Sequence, residues 1–340
     1  MAKTLAVLYR PKKFEDVSEQ KNVIGILKNQ LESHECKNAY LFCGGAGTGK
    51  TTCARIFANE LNGGKGAPIE VDAASNNGVE NVRGIIEQAK YMPLEGQYKV
   101  YIIDECHMLS LGAWNAMLKL LEEPPARTIF IFCTTDPQKV PATILSRVQK
   151  YDFQRISTDG IVARLRYICD EEKLAADDNA LEFLAKIAQG GMRDAISLMD
   201  KCFSYDKNLT VKSVTEALGL VSYDKLFELT VYMADGKRAQ ALGLVDSLYQ
   251  DGADIKQFLK SFITFLIDLA IYKSTKRFLI TRIPQVYKKE IEEAVARFET
   301  DELLDIIDEA FKTQSLIKND PAPLPIVQAF ILKITTGVAV

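Results

Sequence analysis

Along the first 155 residues, short runs of aliphatic, β-branched and aromatic residues alternate with longer stretches in which apolar positions recur every three to four residues. The runs are AYLFC (39–43), PIEVDA (68–73), KVYIID (99–104), TIFIFCTT (128–135) and VQKYDF (148–153). Apolar residues succeed one another in them almost without a break, as in strands covered on both faces. The pattern therefore predicts a parallel sheet with helices on either side. Between two of the runs, GAWNAMLKLLEEPP places Trp114, Met117, Leu118 and Leu121 on one helical face at i, i+3, i+4 and i+7, and Pro124 and Pro125 stop the helix. That aromatic and methionine stripe reads as core.

After residue 155 the strand pattern fades. Segments 157–173, 177–189, 192–203 and 210–218 have the period of short helices, with Gly190–Gly191 as a break, and longer helices are expected at 223–235, 237–250, 254–273, 285–298 and 300–318. The run DPAPLPI (320–326) turns the chain into a last helix. The expected organisation is an α/β domain at 1–155, a small helical domain at 156–220 and an all-α domain at 221–340.

Composition narrows the function classes. With 47% hydrophobic and 26% charged residues among 340, the chain can bury sizeable cores. A net charge of −3 gives no global field towards nucleic acid or anionic membrane, so any DNA binding must use helix N-termini and a few cations. The N-terminus MAKTLAVLYRPKKF lacks the apolar run of a signal peptide. FITFLIDLAIY (262–272) carries Asp268, is too short to span a bilayer and reads as a buried helix. The expected location is the cytosol. None of the seven cysteines (36, 43, 53, 106, 133, 169, 202) forms a CxxC pair, and Cys43 and Cys133 sit within strand-like runs as small core residues.

The chemistry is written in three places. GGAGTGKT (44–51) follows one strand run and precedes the helical TTCARIFANEL, the context that a phosphate-cradling loop requires. Gly44, Gly45, Ala46, Gly47, Thr48 and Gly49 form the loop. Its glycines let backbone N–H groups turn inward, Lys50 reaches the β- and γ-phosphates of ATP, Thr51 holds Mg²⁺, and Thr52 continues the helix whose positive end faces the phosphates. Asp104 ends the third strand, placed for the Mg²⁺ shell, and Glu105 follows, placed to polarise the attacking water. The spelling DECH (104–107) is shared with nucleic-acid helicases, but those need a second sheet domain with an arginine-rich motif, and residues 156–340 offer neither. His107 then reads as a surface residue or one lying just behind the site, with no metal partners. Finally, Thr135 follows the fourth strand with its hydroxyl near the γ-phosphate or its water, and Arg147 and Arg193 are cations suited to stabilising phosphoryl transfer.

YRPKKFEDVSEQ (9–20), the phosphate loop, DECH, LLEEPP (120–125), TTDPQKVPATILSR (134–147) and GMRDAISLMD (191–200) together resemble the AAA+ clamp loaders, and specifically the bacterial DNA polymerase III gamma/tau family, over at least residues 5–202. The resemblance implies a RecA-like AAA+ domain, a helical lid and an all-α oligomerisation collar. It implies that Tyr9, Arg10 and Pro11 frame the adenine end of ATP, that Thr135 and Arg193 are the two nucleotide sensors, and that Arg147 acts in trans in the next subunit's site. It places template DNA against Ser75, Asn76, Asn77 and Lys119, and the sliding clamp against Tyr91, Met92 and Pro93. Implied partners are further copies, delta- and delta-prime-type subunits, the clamp and primer-template DNA.

Two departures accompany the resemblance. The family's four-cysteine zinc module is replaced by the short NGGKGAP (62–68), so no zinc is expected, and the chain ends at 340, short of the tau-type extension, as in a compact gamma-like subunit. The competing expectations are a non-catalytic stator-like subunit, which would have a damaged phosphate loop, and another AAA+ motor such as a branch-migration ATPase, which would end in a winged DNA-binding domain.

Overall fold

The computed structural model describes residues 4–335. The chain forms two units, Met1–Arg164 with Ala188–Ser197, and Leu165–Ile187 with Leu198–Val340.

The first unit is built in the order Leu5–Leu8 (α1), Lys21–Ser33 (α2), Ala39–Cys43 (β1), Lys50–Leu61 (α3), Ile69–Asp72 (β2), Val79–Ala89 (α4), Lys99–Asp104 (β3), Leu111–Glu122 (α5), Thr128–Thr134 (β4), Ala142–Leu145 (α6) and Gln149–Asp152 (β5). The five strands pair in parallel in the order β2-β3-β4-β1-β5. Alternate residues of each strand face opposite sides. Leu41, Tyr101, Ile103, Phe130 and Phe132 therefore meet Val82 of α4 and Trp114 and Met117 of α5. On the other face Tyr40, Phe42, Ile102 and Ile131 meet Leu27 of α2 and Phe57 of α3. The stripe on α5 is core as expected, with Leu118 half-buried at its margin.

The expectation that every strand is covered on both faces fails at the sheet edges. β1, β3 and β4 are buried along nearly their whole length, whereas β2 has Ile69, Glu70 and Asp72 exposed and β5 buries only Tyr151. Each of these two strands has one neighbour, so half of its environment is solvent, and charged residues there discourage further pairing.

In the second unit, Asp178–Ile187 (α8) and Val211–Leu218 (α10) flank a parallel pair of two-residue strands, Ala175–Ala176 (β6) and Asn208–Leu209 (β7). Strands this short carry no readable alternation. The boundary between the units falls within Thr158–Glu172 (α7) and Met192–Tyr205 (α9). Then come Tyr223–Ala234 (α11), Arg238–Gln250 (α12), Ile255–Thr275 (α13), Lys288–Val295 (α14), Thr300–Ile317 (α15) and Pro323–Ile334 (α16). The helix expected at 285–298 is shorter: Gln285–Tyr287 is a 3₁₀ turn, and α14 ends at Val295, ahead of the Glu299–Glu302 capping box that opens α15. α13 is the central helix, capped by Asp254, whose carboxylate accepts the N–H groups of Lys256 and Gln257. It buries Phe258, Phe262 and Phe265, each worth ~2–3 kcal/mol on burial. Among the described residues no helix is long and apolar enough to cross a membrane.

Asp268 is the exception on α13. It is buried, accepts the Arg282 N–H at 3.1 Å and stands 4.0 Å from the Arg282 guanidinium. Burial pushes its carboxyl up to about 6, against the opposing pull of Arg282 and Lys186. Since this lies above the ordinary value, folding favours the protonated form. The contribution is complete at about pH 4 and is lost as pH rises through about 6, at most ~3 kcal/mol. Asp268→Asn keeps an acceptor without the charge. The stability of the wild type relative to this variant should therefore fall by up to that amount between pH 4 and pH 7, in urea unfolding followed by far-ultraviolet circular dichroism. A pH-independent difference would refute the assignment. Fluorescence would not report it, because the sole tryptophan, Trp114, lies in the first unit.

Candidate active site

Parallel strands all end on one side, and loops from adjacent strands converge there. β4 lies between β1 and β3, so the carboxyl ends of these three strands bring together the loop after Cys43, the acids after Ile103 and the threonine after Thr134. A pocket opens at this edge. Its lining includes Tyr9, Arg10, Pro11, Ala46, Gly47, Thr48, Gly49, Lys50, Thr51, Thr52, Asp104, Glu105 and Arg193. Val17, Ser18, Ile156 and Arg164, which sequence reasoning did not single out, complete much of the remaining wall.

Two glycines explain the loop's path. Gly44 passes so close to Phe153 that an added Cβ would lie 2.6 Å from its carbonyl oxygen. Gly47, at φ +68°, lies against the Gly191 backbone, and its carbonyl accepts the Met192 N–H at 3.0 Å, which sets Arg193 beside the loop. Lys50 is buried at the start of α3, its ammonium donating to Gly44 O at 2.8 Å and Gly45 O at 2.7 Å. Burial pulls its proton affinity below the ordinary value. Arg10 is lowered likewise, by burial first and then by Arg55 and Arg193. Cations in this state favour an anion, and the N-terminus of α3 adds backbone N–H groups pointing the same way.

The acids are held in place. Thr51 Oγ1 donates to Asp104 Oδ2 at 2.8 Å, so a hydroxyl and a carboxylate share one spot beside the loop. Together they suit Mg²⁺, which takes one or two protein oxygens and fills its remaining positions with water and phosphate. Glu105 adopts the left-handed conformation at φ 47°, uncommon for a non-glycine residue and often found where a side chain is aimed. Its carboxylate accepts the Thr135 hydroxyl at 3.2 Å and lies 3.4 Å from His107 Nδ1. His107 Nδ1 is also 3.1 Å from Thr134 Oγ1. The histidine thus lies just behind the acid, a contact that the letters DECH alone could not establish.

The opening motif also acquires a physical role. The Gln20 amide donates to Gln154 O at 2.8 Å and accepts the Gln154 N–H at 3.1 Å. Glu19, in the left-handed region, binds the Ser157 N–H and hydroxyl, and Arg164 donates to Tyr9 O at 2.8 Å. The segment around YRP is thereby fixed as one wall of the pocket.

The remaining sequence candidates lie elsewhere. Arg147 is outside the pocket, its guanidinium bonded to Glu122. Ser75, Asn76 and Asn77 form the turn before α4, organised by Asp72, whose carboxylate accepts the Ser75 hydroxyl and whose carbonyl accepts the Asn76 amide. Asn77 O accepts the Ser110 N–H at 3.1 Å, so the N-termini of α4 and α5 are neighbours, with Lys119 exposed farther along α5. Tyr91 and Met92 are exposed, Pro93 is half-buried, and Leu94, not singled out from sequence, is fully exposed. The short connector after α3 is fastened by Asn62, which donates to Tyr98 O and accepts the N–H groups of Gln97 and Tyr98. All seven thiols are free; burial pushes Cys43 up to about 11 and Cys53 up to about 12, as befits packing residues.

Comparison with known proteins now gives this geometry a lineage. Three family models match in succession: DNA polymerase III, delta subunit, at residues 68–157; DNA polymerase III clamp loader subunit, ATPase lid domain, at 160–206; and DNA polymerase III subunits gamma and tau domain III at 209–337. DNA polymerase III subunit tau of Bacillus subtilis is 41% identical over 289 residues, 78% of this chain and 51% of that protein. DNA polymerase III subunit gamma of Buchnera aphidicola subsp. Acyrthosiphon pisum is 32% identical over 310 residues, 85% of this chain and 86% of that one. The chain thus spans about half the length of the tau relatives it matches. Among solved structures, the Holliday junction branch migration motor RuvB of Thermotoga maritima matches at 18% identity with a TM-score of 0.53, over 75% of this chain and 90% of that one, a likeness of fold alone. By sequence, the chain belongs to the DNA polymerase III gamma/tau family.

Proposed function

We propose that this chain is an ATP-hydrolysing clamp loader subunit, which works with further copies and with delta- and delta-prime-type subunits to open a sliding clamp and release it on primer-template DNA. The observation that carries the reading is a division of labour. One pocket gathers the phosphate cradle, the Thr51–Asp104 pair and Glu105, which Thr135 holds from just outside the lining, while Arg147 stands outside it, on the surface of the same unit. Such a site is completed by a neighbour's arginine, which makes turnover depend on assembly.

In this reading the backbone of residues 44–49 and Lys50 hold the triphosphate, Arg10 and Tyr9 stand at the nucleoside side, and Arg193 senses the nucleotide. Thr51 and Asp104 would hold Mg²⁺, which supplies charge neutralisation on the phosphates. Glu105 orients and deprotonates the attacking water, and Thr135 fixes its carboxylate. The division into AAA+ domain (1–155), lid (156–220) and collar (221–340) belongs to the same proposal. So do DNA contacts at Ser75, Asn76, Asn77 and Lys119, and clamp contacts at Tyr91, Met92 and Pro93. The N-terminus of α4, which follows the turn at Ser75, Asn76 and Asn77 and has no side-chain cap, offers backbone N–H groups to phosphates without net positive charge. A stator-like role is less well supported, because every part of the cradle is present. The branch-migration reading lacks its winged domain, since the described residues after Tyr223 are almost wholly helical.

Lys50→Ala should weaken ATP binding about 100-fold, the loss of a charged hydrogen bond of ~3 kcal/mol. Glu105→Gln should bind ATP normally and lose ~10²–10⁴-fold in turnover. Equilibrium binding of a fluorescent ATP analogue and DNA-stimulated phosphate release check both, and normal release by Glu105→Gln would remove it from the catalytic role.

Arg147→Ala should retain nucleotide affinity and lose turnover by ~10³-fold or more in the assembled loader. In complexes that mix wild-type and variant copies, the defect should appear in the adjacent copy's site. A defect confined to the variant's own site would overturn the in-trans assignment.

A further inference from the structure

The run LLEEPP (120–125) ends α5. Leu120 and Leu121 are core residues, and the prolines stop the helix, which leaves its two exposed glutamates without a packing role. Glu122 has a specific partner. Its Oε1 accepts from Arg147 Nε at 3.1 Å and Nη2 at 2.7 Å, while Arg147 Nη1 donates to Thr143 O at 2.8 Å and Ser146 Oγ at 2.9 Å. A guanidinium has five N–H groups in a rigid fork. These contacts engage four of them and leave one on Nη2. Thr143 and Ser146 belong to α6 and its C-cap, so the fork is clamped between the end of one helix and the end of another. The Arg147 side chain is 34% exposed and that of Glu122 50% exposed. An exposed pair of this kind adds little to stability. What it fixes is direction.

We propose that Glu122 is a positioning residue that holds Arg147 at the protomer surface in the orientation in which it enters a neighbouring copy's triphosphate site. The inference rests on the in-trans reading of Arg147. An unheld arginine side chain samples many rotamers, and ordering it during the reaction costs entropy that the clamp has already removed. The arrangement also gives LLEEPP a task besides ending a helix: it carries the carboxylate that aims the arginine.

The test is steady-state ATP turnover by the assembled loader carrying Glu122→Ala, Glu122→Gln, Arg147→Ala or the Glu122→Ala/Arg147→Ala pair. Glu122→Ala should lower kcat by ~10- to 100-fold with KM for ATP within about twofold. Glu122→Gln, which retains an acceptor oxygen, should recover a large part of the loss. In the Arg147→Ala background, Glu122→Ala should add nothing. Thermal unfolding of each variant, expected to be unchanged, separates this from damage to α5. Unchanged or raised kcat in Glu122→Ala beside an impaired Arg147→Ala overturns the positioning role alone, as do additive effects in the double variant. Normal turnover by Arg147→Ala overturns the in-trans reading and this inference with it.

Discussion

The placement of β4 between β1 and β3 is the constraint on which the rest depends. Parallel pairing fixes the register of all three strands, Phe42 opposite Cys133 and Ile103 opposite Phe132, so their carboxyl ends finish level. Everything reactive is attached within a residue or two of those ends. The phosphate loop leaves β1 with Gly44 donating its N–H to Thr134 O, and the acids leave β3. Thr135 follows β4 and reaches Glu105. The hydrogen bond from Thr51 to Asp104 is the closure of this arrangement, a link between β1's helix and β3's end that spans the strand between them. The central strands are apolar on both faces because a sheet sandwiched between helices has no wet side. Their rigidity in turn holds the site.

Much of this was legible in the sequence, and the reasons differ by element. The central strands and the phosphate loop were readable because their residue types have few alternatives: an uninterrupted apolar run, glycines at tight turns, a lysine at a helix start. Edge strands β2 and β5 were located but misjudged in burial, since which strands become edges is decided by pairing order and not by composition. The two-residue strands near 175 and 208 were invisible because no periodicity fits into two residues. The acid pair at 104–105 was readable by position, yet the left-handed backbone of Glu105 and its contact with His107 were not, because they depend on where the chain turns after β3. His107 was set aside for lack of metal partners; its neighbours are Glu105 and a threonine hydroxyl from the next strand. Glu122 illustrates the same limit. The letters LLEEPP announce a helix end, and only the approach of α6 gives one of its glutamates an arginine to hold.

In a chain of net charge −3, the cations suited to phosphate act locally. Within the pocket, buried Lys50 and half-buried Arg10 are desolvated enough that their proton affinity falls, so they gain when an anion arrives. This concentrates attraction at one place and does not spread it over the surface. Outside the pocket the opposite strategy appears. Arg147 is kept next to a carboxylate, its charge half-balanced, on a surface that has no phosphate of its own. With one Nη2 hydrogen not engaged by these contacts, a guanidinium so held keeps a donor for a neighbouring phosphate while the carboxylate stays in place, as the positioning proposal requires. The pocket is lined by four cations, Arg10, Lys50, Arg164 and Arg193, and by four acids, Asp16, Asp104, Glu105 and Asp194, so it offers a phosphate placed charge and not an excess of it. On the proposed in-trans reading, Arg147 completes the neighbouring copy's site. The end of α5 that carries Glu122 lies one helical turn from Lys119. On the proposed assignment of Lys119 to DNA, the residue that meets the duplex and the carboxylate that anchors Arg147 thus share the last turn of one helix.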